Sequence, residues 1–226
     1  MYLSTNSRPD ITYSVHQCAR FTHSPKNSHT LAVKRIIRYL KGTATKGMVI
    51  HPTDVYTVNC FVDADFAGLW GSENDHDPVC VKSRTGFVII FTNCPLLWVS
   101  KLQSQISLST MESEYIELSH SMRELIGVRD ILKGVFGHVL HDNVTKPECI
   151  TSHKYGLLPQ SRVFKDNESC PKFATLPKMS PRTKHIAIPY HFFRNKIQNL
   201  EIKVEGIDTT NQLADQFTKG FTTTCF

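Results

Sequence analysis

The chain has 226 residues, 40% hydrophobic and 20% charged, with a formal net charge of +6. That length allows one large domain, or a small domain with an appendage. No window holds the roughly 18 uninterrupted apolar residues of a membrane span. The start, MYLSTNSRPDITYSV, has no basic region followed by an apolar block, so it does not read as a secretory signal and an intracellular chain is expected.

In chain order, Ile11, Val15 and Cys18 suggest a short helix after Pro9. HSPKNSHTLAVKRIIRYLKGT predicts a strong helix, with Ser24 as cap, Pro25 in the first turn and Gly42 at the end. Val33, Ile36, Ile37 and Leu40 form its apolar stripe, and Lys34, Arg35, Arg38 and Lys41 lie off it. The period then changes. YTVNCFVDADF, TGFVIIFTN and PLLWVSK are short β-branched and aromatic runs, expected as three consecutive antiparallel strands. Phe87 and Trp98 in these runs are expected in the core.

A long helix is predicted from about Thr110 to Phe136, striped by Met111, Tyr115, Leu118, Met122, Leu125, Leu132 and Phe136, with a polar step at Arg129. Residues 137–162 read as loop. RVFKDN is a short strand ending in Asp166. SPRTKHIAIPYHFFRNKIQ reads as a helix kinked at Pro189. EIKVEGI alternates like a strand, and TTNQLADQFTKG predicts one capped helix closing at Gly220. Helices that follow a sheet opening as a meander predict an α/β layered domain.

Seven cysteines without a C-x-x-C pair argue against a zinc site or a disulfide framework, and for buried, reduced thiols. The spacing of His185 and His191 matches no common helical metal-ligand pair. Charge is unevenly spread. Residues 1–52 carry eight basic residues against Asp10 alone, and residues 170–200 carry six with no acid. Two basic zones around an acidic middle suit a polyanion whose phosphates approach carboxylates.

Four acids fall at element ends or beside apolar stripes: Asp63, Glu114, Asp166 and Asp215. Gathered carboxylates repel one another unless cations join them, and hard oxygen ligands suit Mg²⁺. On the long helix, Ser109 and Glu112 have the spacing of a capping box, which gives Glu112 a structural duty. Glu114 has no such duty and lies beside the core stripe, so it is the expected ligand. Asp63 and Asp65 point to one face of an extended segment, where only one need be a principal ligand.

FVDADFAG, KSRTGFVIIF, LLWVSKLQSQISLSTMESEY, KDNES, RTKHIAIPYHFFR and NQLADQFTKG together resemble the ribonuclease H domain at the end of copia-type retrotransposon Pol polyproteins. RPDITYSVHQCARFTHSPKNSHTLAVKRIIRYLKGT resembles the stretch before it, which ends the reverse transcriptase. The resemblance runs from about Tyr2 to Phe221. It implies a ribonuclease H-like fold, a five-stranded mixed sheet flanked by helices, over residues 53–221. Residues 1–52 would be a helical remnant of the polymerase, and 222–226 a tail.

The resemblance also implies a D-E-D-D metal site of Asp63, Glu114, Asp166 and Asp215. Gly68, five residues after Asp63, marks the first position, and Asn211 precedes the last acid by four. Two Mg²⁺ ions are implied, with Mn²⁺ as an alternative. One would activate the attacking water and the other would stabilise the leaving 3′ oxygen. The implied substrate is the RNA strand of an RNA–DNA hybrid, held by Arg182, Lys184, Asn167 and Ser109. The implied partner is the remainder of the reverse transcriptase and Pol, in a cytoplasmic virus-like particle or the nucleus. No polymerase activity is expected, because FVDAD separates the two aspartates that a reverse transcriptase palm holds adjacent. Departures from the family are the lack of a histidine before Asp215, a long segment at 137–162 and Pro171 near a helix start. Pro171 motivates a second reading, a silent or decayed nucleic-acid-binding module of the same fold.

Overall fold

The computed structural model describes residues 1–54, 56–71, 77–141, 158–166 and 193–220, with side chains in the long helix through residue 135. The N-terminal part holds α1 (Tyr2–Asn6), a 3-10 turn (Pro9–Ile11), α2 (Thr12–Ala19) and α3 (Asn27–Gly42). Three strands follow: β1 (Val58–Asp65), β2 (Arg84–Phe91) and β3 (Cys94–Leu102). Next come α4 (Thr110–His141) and β4 (Ser161–Lys165). Residues 193–198 are helical and are called α5. The chain closes through β5 (Ile202–Gly206), a 3-10 turn (Thr209–Asn211) and α6 (Asp215–Thr218).

The five strands form one mixed sheet in the order β3-β2-β1-β4-β5. β1, β2 and β3 pair antiparallel, whereas β4 runs parallel to β1 and β5 parallel to β4. This is the five-stranded mixed sheet expected of a ribonuclease H-like fold. Its two faces bury different side chains, as strand alternation requires. Val58, Cys60, Val62, Phe87, Ile89 and Val163 face α4, against Tyr115, Leu118, Met122 and Leu125. On the other face Val88, Trp98 and Phe217 form a second cluster, joined by Phe61. Full burial of a side chain such as Phe87, Ile89, Leu118 or Phe217 contributes about 1.5–3 kcal/mol. The expected core residues Phe87 and Trp98 are both buried, and Cys18, Cys60, Cys80 and Cys94 are free thiols.

Some boundaries differ from the sequence reading. α3 starts at Asn27 rather than next to Ser24, and the Lys26 amide donates to His29 Nδ1 at 3.0 Å. No α3 residue is fully buried, and Val33 and Ile37 of the predicted stripe face solvent. The helix packs mainly on α2, and its Tyr39 hydroxyl donates to Asp10 Oδ2 at 2.8 Å, so only part of its stripe is covered. α4 continues to His141, beyond Phe136. The polar step at Arg129 is buried, where Nη1 donates to the Pro159 carbonyl at 3.0 Å and so ties α4 to the approach to β4.

The predicted single helix over TTNQLADQFTKG is two pieces. Gln212 leaves helical geometry at φ −78°, ψ 97°. Its buried side chain donates from Nε2 to the Val62 carbonyl at 3.0 Å, and its Oε1 accepts from the Ala214 amide at 3.2 Å. Those bonds satisfy a β1 carbonyl and the turn before α6, at the expense of continuous helix. Among the described residues, no helix is long and apolar enough to cross a membrane.

The N-terminal helices lie against the sheet. Trp98 Nε1 donates to the Ser4 carbonyl at 2.7 Å. The buried Arg84 guanidinium lies 4.8 Å from the Tyr13 ring centroid and donates to His16 Nδ1 at 3.3 Å. Burial, then the charges of Arg84, Arg20 and Lys101, depress the His16 pKa from 6.5 to about 4. Between those values the unfolded chain takes up a proton that the folded chain refuses, so stability falls as pH drops through this window. His16→Gln removes that component. The melting temperature of the variant is expected to fall less steeply between pH 6.5 and 4 than that of the parent, and parallel curves would reject the linkage.

Candidate metal centre

The parallel pairing of β1 and β4 builds the centre. Phe61 stands beside Phe164, so two residues further along the same register Asp63 meets Asp166. Both acids thus lie at the C-terminal ends of neighbouring parallel strands. Asp215 opens α6, which Phe217 anchors against the sheet. The result is a cluster: ligand oxygens of Asp63, Asp166 and Asp215 all lie within 4.8 Å of one another.

The surrounding bonds hold this geometry. Thr218 Oγ1 donates a short hydrogen bond to Asp63 Oδ2. Lys219 Nζ lies 3.0 Å from Asp215 Oδ1 and 3.8 Å from Asp63 Oδ2. Burial raises the Asp215 pKa, and the charges of Asp63 and Asp166 add to the rise against the pull of Lys219. Burial opposes the Lys219 charge, but Asp63 and Asp215 outweigh it and keep its pKa above the ordinary value. Three anionic groups around one partly exposed ammonium leave a deficit of positive charge. A hard divalent cation with oxygen preference fits that donor set.

Glu114 stands outside this triad, on the α4 side of the sheet. It forms a short ion pair with Lys165 Nζ, which also lies 3.1 Å from Glu117 Oε2. Lys165 and Glu117 are fully buried. Burial pushes the Glu114 carboxyl up, and Lys165 pulls it down against the added push of Asp63 and Asp166. Burial likewise pushes the Glu117 carboxyl up, Lys165 pulls it back down, and Glu114 adds to the rise.

Asp65 has a different role from Asp63. Its carboxylate folds over Gly68, where a Cβ would fall 1.8 Å from Asp65 Oδ2. Burial and the neighbouring Asp63 charge raise its pKa. Glu112 acts as the expected cap, since the Leu108 amide donates to Glu112 Oε2 at 2.8 Å and the Glu112 amide to Ser109 Oγ at 3.2 Å. Ser109 is therefore engaged as the N-cap of α4. Asn167, Pro171, Arg182, Lys184, His185, Pro189 and His191 lie outside the described residues.

Sequence reasoning missed Lys165, Gln212, Thr218 and Lys219. Two of them carried a signal. Ser161, Val163 and Lys165 share one strand face, which aims Lys165 inward. Lys219 follows Asp215 by four, the spacing of a helical ion pair. Gln212 and Thr218 carried none.

No protein-family model matches the sequence. Among curated proteins, the retrovirus-related Pol polyprotein from transposon RE1 of Arabidopsis thaliana is 31% identical over 220 residues, which are 97% of this chain and 13% of that protein. The Pol polyprotein from transposon TNT 1-94 of Nicotiana tabacum is 31% identical over 219 residues, covering 97% of this chain and 14% of that protein. The chain thus spans 13–14% of the length of these relatives. Among solved structures, the N-terminal RNase H domain of a Mycobacterium tuberculosis protein aligns with a TM-score of 0.44 and 10% identity, over 72% of this chain and 91% of that one. The likeness to copia-type Pol polyproteins read from the motifs is borne out along nearly the whole chain.

Proposed function

From this likeness to copia-type Pol polyproteins, we propose that the chain is a metal-dependent ribonuclease H that cuts the RNA strand of an RNA–DNA hybrid by a two-metal mechanism. The observation that supports this best is the convergence of Asp63, Asp166 and Asp215 from three separate elements. These three would hold one Mg²⁺ or Mn²⁺ ion, and Glu114 would help to hold a second. When bound, such ions activate water and stabilise the leaving 3′ oxygen of the cleaved strand.

The protein's own groups do the positioning. Thr218 occupies one oxygen of Asp63 and leaves the other for a cation. Gln212 fixes the backbone one residue before Asp63. Lys219 beside the triad would meet a backbone phosphate, a contact that orients the substrate without reading its sequence. Arg182, Lys184, Asn167 and Ser109 are the proposed further contacts. Selectivity for RNA would come from the 2′-hydroxyl and the shape of the hybrid. The exposed apolar residues Leu31, Val33 and Ile37 of α3 support the rest of the polyprotein as a partner.

The test is cleavage of a labelled RNA–DNA hybrid in Mg²⁺. Asp63→Asn is expected to lower the rate by at least about 100-fold, more than the loss of a residue that only supports a ligand. Undiminished cleavage would reject the site. Salt-dependent hybrid binding with no cleavage by the parent would instead assign the silent binding module, a reading that the pairing of Glu114 with Lys165 favours.

A further inference from the structure

Lys165 is a charged side chain with no exposed surface, placed between two glutamates one helical turn apart on α4. Its ammonium pairs with Glu114 Oε2, reaches Glu117 Oε2 at 3.1 Å and lies 3.4 Å from the Glu114 carbonyl. Among the described residues, Glu117 Oε1 has no hydrogen-bond partner. A buried ammonium without a counter-ion is strongly unfavourable, so a structural role would be met by one glutamate. The chain supplies two. One of them, Glu114, lies close enough to Asp63 and Asp166 to feel their charge.

We infer that Lys165 is a resident cation that occupies Glu114 and makes metal loading stepwise: the Asp63–Asp166–Asp215 triad takes one divalent ion, and a second is held only after Glu114 leaves Lys165 to Glu117. This rests on the metal-site reading above. The charges favour the order. Three carboxylates, the Lys219 ammonium and one divalent ion already balance. A second ion then needs new negative charge. Glu114 supplies part of it only by releasing Lys165, whose charge Glu117 retains. Substrate phosphate supplies more, so the second ion enters with nucleic acid, in keeping with the preference of Mg²⁺ for phosphate ligands. Lys165 is thus a positioning residue that acts through Glu114, with no contact to the reacting atoms.

The experiment counts bound ions rather than turnover. Mn²⁺ is titrated into the protein without nucleic acid, and free Mn²⁺ is read by electron paramagnetic resonance. The parent is expected to bind one ion per chain. Asp63→Asn should bind none. Lys165→Gln/Glu117→Gln removes one charge of each sign and frees Glu114, and this double variant should bind two ions per chain under the conditions in which the parent binds one. Its melting curve reports whether it is folded. A parent that binds two ions of equal affinity without nucleic acid overturns the inference, whatever the variants do. A folded double variant that still binds one overturns it too. A parent that binds no ion sinks the metal-site reading itself, and the inference falls with it.

Discussion

Gly86→Ala is expected to shift α6 against the sheet and to lower the rate of hybrid cleavage about 100-fold while the sheet stays intact. Gly86 is the cross-strand partner of Asp63, so it lies under the candidate site. A Cβ there would fall 2.6 Å from Thr218 Cγ2 and 2.9 Å from Phe217 Cβ. Contacts under 3 Å are not tolerated in a close-packed interior, so the helix or the strand must move. β2 is held on both sides, by β1 and β3, whereas α6 has only four residues. The helix therefore gives way. Phe217 is fully buried against this face, and the Ser100 hydroxyl donates to its carbonyl. Overpacking of this kind costs about 1–3 kcal/mol.

The functional loss should be the larger effect. Asp215 opens the displaced helix, and the Thr218 bond to Asp63 goes with it. A shift near 1 Å in a catalytic group costs about 100-fold in rate. Hybrid cleavage in Mg²⁺, thermal unfolding and Mn²⁺ titration together check this. Retained cleavage with an unchanged melting temperature would show that α6 tolerates the methyl group and that its seating does not position Asp215.

What the sequence made legible followed from periodicity. The strand runs ending in Asp63 and Asp166 alternate cleanly, and parallel pairing then brings their ends together. The helix stripe placed Glu114 toward the sheet, and the capping spacing separated it from Glu112. The rest depended on contacts far apart in sequence. Strand alternation aims Lys165 inward, but only the α4 glutamates, about 50 residues earlier in the chain, explain why a charge is buried there. The break at Gln212 is invisible because nothing local in TTNQLADQFTKG signals the β1 carbonyl that draws the Gln212 side chain out of the helix. α3 showed the reverse error. Its stripe is regular, yet among the described residues no second layer covers Val33 and Ile37.

The second large effect is on stability. Lys165→Met, in metal-free buffer, is expected to lose about 3–5 kcal/mol, the cost of leaving a buried charge without its partner. Methionine matches the lysine stem in length and leaves little cavity, so the loss reports charge rather than packing. Glu114 and Glu117 would then face each other one helical turn apart with no cation between them. Adding Glu114→Gln and Glu117→Gln to Lys165→Met removes both stranded acids, and this triple variant should recover most of the loss, because neutral replacements of a buried ion cluster are often tolerated. Divalent cations should separate the variants further. In Lys165→Met, Glu114 is free to hold an ion, and an ion present at 100 times its dissociation constant restores about 2.7 kcal/mol. The triple variant has no acid at position 114 or 117 and should gain less from the same addition than Lys165→Met. Urea unfolding of the three proteins, with and without Mg²⁺, reads these differences directly. Equal stability of the parent and Lys165→Met in metal-free buffer would mean that Lys165 does not balance the charge of the two glutamates.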